Sequence, residues 1–316
     1  SDDHTEEVIV NFQGRFSNIH YIKPPRRLGM SAHWEFAIRE VINDDAFLII
    51  IGSDDALMPN ALRYANGLFN IYDGIQALAW SLSYYYYPDL PDKRIANSCS
   101  LFLGRNIEIR NSLSWLRYAG DGKVFYHLGL INIYHGFVHT SLLRNLAMKF
   151  PSNLINSTIP DIYLSLALCA MEEKYIFIRE PLSLNCISRN STGFSHFSPL
   201  SDEKIAAKFF RESEKKLYNK LSIIPDLGIL HLDCLLQLKD IGFLPDDFEI
   251  NIKSIIGRAA VLVYTNHRGH PKFEEYLSKV RSMAIKFQIG EYIEDIIINL
   301  AQDNSASLSS KIDLTI

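Results

Sequence analysis

The sequence of 316 residues predicts an α/β fold with a mostly parallel sheet, followed by a helical C-terminal region. Two observations predict this fold class. Up to about residue 200, apolar strand-like segments alternate with segments of helical spacing, as they do in a series of βαβ units. Beyond that point, four successive segments carry helical periodicity with mixed surface charge. A hydrophobic share of 47% and a charged share of 22% are typical of a folded globular chain.

The first elements are predicted to be a short helix and then a strand-helix-strand unit. The short helix covers "TEEVIVNFQ". A strand is expected at residues 18–23, and a helix at residues 31–43 with Ser31 as its N-cap. The apolar run "DAFLIIIG", residues 45–52, then predicts a fully buried strand.

The alternation continues along the chain. A helix is expected to begin at Pro59, a favoured first helical position, and a strand to cover residues 74–88. Residues 107–119 predict a helix, and residues 160–173 predict another that leads into the strand "YIFI". The four C-terminal helical segments are residues 202–221, 227–242, 273–289 and 292–302. The Ser-rich tail after them is expected to be mobile.

Charge and cysteine content weigh against several classes of protein. A net charge of −4 argues against a nucleic-acid partner, because proteins that wrap a polyanion usually show a dominant basic face. The four cysteines lie far apart without CxxC spacing, which indicates free thiols and suits a reducing cytoplasm. No apolar run reaches the roughly 18 to 20 residues that cross a bilayer. We therefore expect a cytoplasmic protein without a membrane span.

Two adjacent carboxylates, Asp54 and Asp55, follow the predicted strand at residues 45–52. In open α/β sheets, ligands bind beyond the carboxyl ends of the strands. Adjacent carboxylates repel each other, and a divalent cation relieves this repulsion because it binds hard oxygen ligands. Alternatively, one of the pair caps the next helix, but Pro59 places that cap near Met58, about one turn later. The pattern therefore favours a metal site.

Four segments in order resemble a GT-A glycosyltransferase of the family-two type, in the bacterial cell-surface polysaccharide branch. They are "PPRRLGMSAHWEFAI", "DAFLIIIGSDDALMPNAL", "STIPDIYLSLAL" and "EPLSLNCISRNSTGFSHF". The resemblance implies a nucleotide-diphosphosugar-binding α/β sandwich over residues 1–200, with residues 201–316 as the helical region. The DxD-like motif of the family matches "SDD" at residues 53–55, where Ser53 replaces the commoner first Asp.

The resemblance also implies roles for the acidic residues. Asp54 would contact the donor ribose, and Asp55 would hold Mg²⁺ or Mn²⁺ on the diphosphate. Asp161, next to Pro160 at a helix start, would be the base that takes a proton from the acceptor hydroxyl. Alternatively, Asp161 is only a favourable charge in a first helical turn, where the helix dipole would also lower its pKa and weaken it as a base.

Basic and hydroxyl side chains complete the predicted donor site. Ser188 and Arg189 stand in a loop that could close over a diphosphate. Arg26 and Arg27 could contact the donor phosphates, or they could simply be solvated after a Pro-Pro turn. His196 is either a further metal ligand or a solvated surface histidine.

Three other histidines are predicted to have no catalytic or metal-binding role. His135 is more simply explained as a satisfied buried histidine than as an acceptor contact. His267 and His270 have a spacing that a metal could use, but no nearby Cys or carboxylate completes a site, so a turn is expected.

The first residues match part of a family motif. In the family, a turn of the form D-N-x-S-x-D-x-T follows the first strand and helix, and Ser1, Asp3 and Thr5 fill its S-x-D-x-T positions. The resemblance therefore implies that about 40 family residues, the length of a strand-helix-strand unit, would precede this sequence.

The predicted function is inverting, metal-assisted transfer of a sugar from a nucleotide-diphosphosugar to a glycan or lipid-linked acceptor. One alternative is a non-catalytic carbohydrate-binding or scaffold protein with a decayed GT-A domain, and another is a nucleotidyltransferase. Peripheral contact with the inner face of a membrane is a further possibility, because "AAKFFRESEKKLYNKL" mixes Phe209, Phe210 and Leu217 with lysines. Packing of these side chains on the neighbouring domain is the favoured alternative.

Overall fold

The computed structural model describes residues 4–200 and 203–302. Ser1 and Asp3 of the predicted motif, and the Ser-rich tail after Gln302, lie outside the described residues. The elements in chain order are α1 (Thr5–Gln13), α2 (Met30–Val41), β1 (Phe47–Leu48), β2 (Ala56–Leu57), α3 (Ala61–Ile71), β3 (Ala77–Trp80), β4 (Ser83–Tyr86), β5 (Ser98–Ser100), β6 (Ile107–Asn111), α4 (Ser112–Gly120), α5 (Tyr126–Gly129), β7 (Gly136–His139), α6 (Thr140–Lys149), α7 (Pro160–Met171), β8 (Lys174–Ile178), β9 (Ser183–Ile187), α8 (Thr192–Phe197), α9 (Glu203–Glu212), α10 (Leu227–Asp240), α11 (Ile252–Asn266), α12 (Phe273–Lys286) and α13 (Gly290–Gln302).

The strands form two mixed sheets. The larger sheet has the order β1-β7-β3-β8-β6, and the smaller sheet has the order β2-β9-β4-β5. Strand β3 pairs with β8 in parallel and β4 pairs with β9 in parallel, whereas the other paired strands run antiparallel. The predicted α/β class and the helical C-terminal region are confirmed, but the sheets are mixed rather than mostly parallel. Antiparallel β7 separates β1 from β3, and β5 and β6 also add antiparallel pairs.

Several predicted elements differ from the observed ones. No strand forms at residues 18–23. The strand predicted over residues 74–88 divides into β3 and β4, and the chain passes from one sheet to the other between them. Within the predicted helix 107–119, the alternating "IEIRN" forms β6, and α4 begins only at Ser112, where the Asn111 side chain accepts a hydrogen bond from the Ser114 N–H.

Strand β1 is shorter and more exposed than its apolar sequence predicts. Only Phe47 and Leu48 pair with β7, and Ile50 makes an isolated bridge to Tyr134. The strand lies at the end of its sheet, and Phe47 is 37% exposed. The apolar run that contains β1 is therefore half-buried rather than fully buried.

Helix α2 begins one residue before the predicted cap. Its N-cap is Gly29, and the hydroxyl of Ser31 instead donates to the Ser157 carbonyl at 2.6 Å inside the protein. Trp34 and Ile38 are buried in the core, whereas Ala37 is exposed.

Helix α7 is the centre of the α/β part. Residues 160–169 are all buried, so this helix is enclosed by the protein on every side. The core around it includes Trp34 of α2 and also Leu235 and Leu238 of α10. A second core joins α10 to α11, α12 and α13. Helix α10 thus belongs to both cores, and the domain boundary expected at residue 200 stays a prediction.

The segment proposed to touch a membrane packs within the protein. Phe210 and Leu217 lie against the core around α7, as the favoured alternative predicts. No helix within residues 4–200 and 203–302 combines the length and the apolar character that a bilayer-spanning segment requires.

Candidate active site

A cavity of about 790 Å³ lies between the α/β part and the helical region. A volume of this size is in the range of small-molecule sites. One part of the wall is polar and consists of Ser53, Asp54, His127, Asp161, Asn185, Ser188, Asn190, Ser191 and Thr192. Another part is apolar and consists of Phe194, Phe197, Phe209, Phe210, Leu227 and Leu230, which belong to α8, α9 and α10. The helical region therefore forms part of the cavity wall.

Asp55 is turned away from the cavity into a buried hydrogen-bond network. Its side chain is 1% exposed. Oδ2 accepts hydrogen bonds from the Gly52 N–H at 2.6 Å and from the Tyr134 hydroxyl at 2.8 Å, and Oδ1 accepts one from the Cys186 N–H at 2.8 Å. Burial alone would raise the pKa of Asp55, but contact with His135 and the two backbone N–H groups outweigh it and lower the pKa to about 2.

His135 lies beside this network and is buried, as expected from the sequence, although its Nε2 has no hydrogen-bond partner among the described residues. Its Nε2 lies 3.2 Å from Asp55 Oδ2, and its Nδ1 lies 2.8 Å from Ser183 Oγ. Ser183 Oγ accepts a hydrogen bond from Trp80 Nε1, so its own proton can be donated to His135 Nδ1. The ring proton then lies on Nε2, near Asp55 Oδ2 but without a hydrogen bond to it. The φ angle of 61° at His135 is rare for a residue with a side chain, and such conformations concentrate at functional sites.

Asp54, in contrast, faces the cavity. Burial, together with the charge of Asp55, raises the pKa of Asp54. In the part of the chain that the structure describes, no three His, Cys, Asp or Glu side chains form a ready-made metal site. A cation at Asp54 would therefore take its other ligands from phosphate oxygens and water, which is how Mg²⁺ is usually bound. The geometry fits such an ion at Asp54 better than at Asp55, the reverse of the roles implied by the resemblance.

Asp161 lies in the first turn of α7 and lines the same cavity. The residue is buried, and its Oδ1 has no hydrogen-bond partner among the described residues. Burial raises the pKa of Asp161, and the Tyr126 hydroxyl and the Ile162 N–H offset this only in part. The N–H groups at the helix N-terminus lower the pKa of Asp161, as expected, but burial outweighs them.

The predicted loop over the diphosphate is a tight turn followed by a short helix. The Ser188 N–H donates to Ser191 Oγ at 2.9 Å, and the Asn190 N–H donates to Ser188 Oγ at 3.2 Å. Both serines line the cavity, and their hydroxyl oxygens lie 3.4 Å apart, so at least one of the two keeps its proton for a ligand. Arg189 is exposed and is not part of the cavity wall.

His196 lies in α8 in the wall of the cavity and is not a solvated surface residue. Its ring packs against Phe197 and Phe210, with centroid distances of 4.7 and 5.1 Å. Burial lowers the pKa of His196 to about 4, and its Nε2 has no partner among the described residues. A neutral imidazole can bind a metal, so the ligand role of His196 stays a prediction.

Arg26 and Arg27 lie outside the cavity wall, in the arrangement that the solvated alternative describes. Each makes an ion pair of 3.0 Å, Arg26 with Glu214 and Arg27 with Glu212, and both side chains are about two-thirds exposed. The backbone at Gly29 lies close to the backbone at Glu212, since a Cβ on Gly29 would lie 2.6 Å from the Glu212 carbonyl oxygen. The two arginines thus join the start of α2 to the end of α9.

Sequence analysis missed several residues of the cavity wall, including three tyrosines and a histidine. They are Tyr84, Tyr126, His127 and Tyr134. Short polar-aromatic strings such as "FYHLG" carry no periodicity or motif that would mark them. His267 and His270 lie in a turn after α11, as predicted.

The mixed α/β fold, with an acidic turn and a buried carboxylate on one large cavity, is consistent with the GT-A fold. Residues 1–84 match the model of the family described as Glycosyl transferase family 2, and this match supports a family-2 glycosyltransferase. The matched range contains Asp54 and Asp55 but ends before Asp161. No curated protein matches the sequence.

Proposed function

We propose that this glycosyltransferase moves a sugar, with inversion, from a nucleotide-diphosphosugar to a hydroxyl group of a glycan or lipid-linked acceptor. One observation carries the proposal. Asp161 Oδ1 is buried and has no partner among the described residues, on the wall of a cavity of about 790 Å³ that also contains Asp54. A buried carboxylate oxygen without a donor is costly unless a ligand supplies one. An acceptor hydroxyl is a donor of this kind.

Asp161 would act as the general base. The acceptor oxygen forms a bond to the anomeric carbon, the bond from that carbon to the diphosphate breaks, and the acceptor proton moves to Asp161. The products are the glycosylated acceptor and a nucleoside diphosphate. The raised pKa of Asp161 suits a base, because a stronger base accepts the proton more readily in the transition state. A single displacement of this type inverts the anomeric centre.

Donor binding would use the polar part of the wall. Ser188 Oγ and Ser191 Oγ each accept a backbone N–H and lie 3.4 Å apart, so at least one of the two hydroxyls would donate to a phosphate oxygen. Asp54 would hold Mg²⁺ or Mn²⁺, and the bound cation would stabilise the negative charge of the departing diphosphate. Asp55 would fix the turn so that Asp54 faces the donor.

Transfer assays with Asp161→Asn test the proposal. The chain is incubated with nucleotide sugars, Mn²⁺ and a panel of glycan and lipid-linked acceptors, and release of nucleoside diphosphate is measured. We expect Asp161→Asn to keep donor binding and to lose about 10²- to 10⁴-fold in rate. Asp226→Asn is the matched control, because Asp226 is also a buried carboxylate but does not line this cavity.

Two results would contradict the proposal. Release of pyrophosphate from a nucleoside triphosphate would indicate a nucleotidyltransferase. Carbohydrate binding without turnover of any donor would indicate a non-catalytic protein. The assignment to a bacterial cell-surface polysaccharide pathway stays a prediction.

A further inference from the structure

We propose that the acceptor is a glycan chain, and that Tyr84 and Tyr86 of β4 bind its sugar units along the path out of the cavity. The proposal rests on the proposed function and deepens it, because it selects the glycan from the two acceptor classes. It also gives the smaller sheet a binding role.

Tyr84 and Tyr86 form an aromatic pair on one face of β4. Residues two positions apart in a strand point to the same face of the sheet. The two rings stack with a centroid distance of 6.2 Å and an interplanar angle of 23°. Tyr85, on the opposite face, packs instead against Tyr87, with ring centroids 5.1 Å apart. The smaller sheet therefore presents a surface of two adjacent rings on the face of Tyr84 and Tyr86.

This surface continues the cavity wall. Tyr84 lines the cavity, whereas Tyr86, two positions further along the strand, lies outside its wall. On the neighbouring strand β9, Asn185 and Ile187 are the register partners of the two tyrosines, and both line the cavity. The tyrosine rings are half-buried, and neither belongs to a hydrophobic core of the described residues. A ligand too long for the cavity would therefore pass over Tyr86.

The chemistry of this surface fits an uncharged ligand with many hydroxyl groups. Strands β4, β5 and β9 contain no Asp, Glu, Lys or Arg. Ser100 of β5 and Asn185 of β9 lie on either side of Tyr84 in the sheet, and Ser98 of β5 lies beside Tyr86. A pyranose ring has C–H groups on its faces and hydroxyl groups around its rim. It can therefore pack on an aromatic ring while its hydroxyls meet the flanking polar side chains.

The position of Tyr86 outside the wall favours an acceptor chain over the donor. The donor consists of a nucleotide and one sugar, and Asp54 and Ser188 would hold its phosphates inside the cavity. An acceptor glycan presents one hydroxyl to Asp161, and its other sugar units extend away from the reaction centre. A hydrocarbon chain on Tyr84 and Tyr86 would separate the flanking hydroxyl and amide groups from water without replacing their hydrogen bonds.

Kinetics of Tyr86→Ala in the full chain test the proposal. The acceptors are oligosaccharides of glucose, galactose and N-acetylglucosamine with one to six units, and octyl glycosides of the same sugars represent lipid-linked acceptors. We expect the substitution to raise KM for the longer oligosaccharides about tenfold, because a stacking surface is lost. KM for the donor and for single-sugar acceptors should stay within twofold.

Matched variants separate ring stacking from other effects. Tyr85→Ala is the control, because Tyr85 belongs to the same strand but lies on the opposite face and does not line the cavity. It should leave every KM within twofold. Tyr86→Phe keeps the ring and should keep most of the affinity for oligosaccharides. Tyr86→Leu, which fills much of the ring's volume without an aromatic face, replaces Tyr86→Ala if the latter lowers the thermal stability.

Three kinetic outcomes would overturn the proposal. A raised donor KM in Tyr86→Ala would indicate that the nucleotide base lies on this surface. Transfer to octyl glycosides but to no oligosaccharide would indicate a lipid-linked acceptor. An unchanged KM for the longer oligosaccharides would show that the two rings do not contact the acceptor.

A binding measurement does not depend on turnover. Isothermal titration with the same oligosaccharides gives Kd for the unsubstituted chain and for each variant. We expect Kd to rise about tenfold in Tyr86→Ala and to stay unchanged in Tyr85→Ala, at equal thermal stability. If the chain transfers no sugar but this difference is found, the proposed function fails and the glycan-binding surface stands. Failure of every oligosaccharide to bind the unsubstituted chain would refute the proposal.

Discussion

The Tyr134 hydroxyl donates a hydrogen bond to Asp55 Oδ2 at 2.8 Å, and this contact separates the functions of two adjacent aspartates. Asp55 belongs to a closed network that includes the backbone of Gly52 and Cys186. Asp54 is left to face the cavity. Of these two adjacent aspartates, Asp55 fixes the turn and Asp54 is left to contact the ligand.

Substitution of Asp55 is expected to destabilise the fold. Because the folded state lowers the pKa of Asp55 from 3.8 to about 2, the ionised carboxylate contributes about 2 kcal/mol above pH 4. This contribution disappears as the pH falls through about 2. Urea unfolding should therefore show that Asp55→Asn costs about 2 kcal/mol at pH 7 and less at pH 3. An equal cost at both pH values would contradict the network.

Substitution of Asp54 is expected to act on metal binding instead. Asp54→Asn should leave the free energy of unfolding nearly unchanged, because the side chain faces the cavity rather than the network. It should weaken Mn²⁺ binding in the presence of nucleoside diphosphate at least tenfold, as measured by electron paramagnetic resonance. Normal Mn²⁺ binding in Asp54→Asn would show that a residue other than Asp54 holds the metal.

The stability of the protein should fall between pH 4 and 6 because of Asp226. Burial raises the pKa of Asp226 from 3.8 to about 6, so the folded state binds more protons than the unfolded state in this window. Stability then decreases as the pH rises, by up to about 3 kcal/mol, and levels off above pH 6. Asp226→Asn keeps the oxygen that caps α10 and should lose this slope in urea titrations. Exposed Asp246, changed to Asn, is the control that should keep it.

Arg26 and Arg27 should matter little for catalysis. Their ion pairs with Glu214 and Glu212 are exposed, and pairs of this kind contribute about 1 kcal/mol or less. The double variant Arg26→Ala/Arg27→Ala should keep the donor KM within threefold and lose about 1 kcal/mol of stability. A tenfold rise in donor KM would contradict this prediction and would support contact of the two arginines with the donor phosphates.

Local sequence signals predict elements that local interactions determine. Helix α7 is indicated by a Pro at its first position and by its long apolar run. Helices α10, α12 and α13 are indicated by their helical periodicity. The division of residues 74–88 into two strands depends on partners about 100 residues away, β8 and β9, which no local pattern contains.

The candidate site also has features that local sequence predicts and features that depend on distant residues. Asp54 and Asp161 can be found from sequence because each follows a recognisable strand end or helix start. The direction in which Asp54 and Asp55 point depends on Tyr134 and Cys186, which are distant in sequence. Tyr126 and Asp161 come to line one cavity only after α5, α7 and α10 have packed together.

Leu230 of α10 lines the cavity and also belongs to the core around α7. The α/β part and the helical region are therefore not interchangeable modules. A recombinant chimera joined near residue 200 would need the foreign helices to reproduce a buried surface as well as a substrate wall. Changes of acceptor preference are more easily made at individual wall positions than by exchange of the whole C-terminal region.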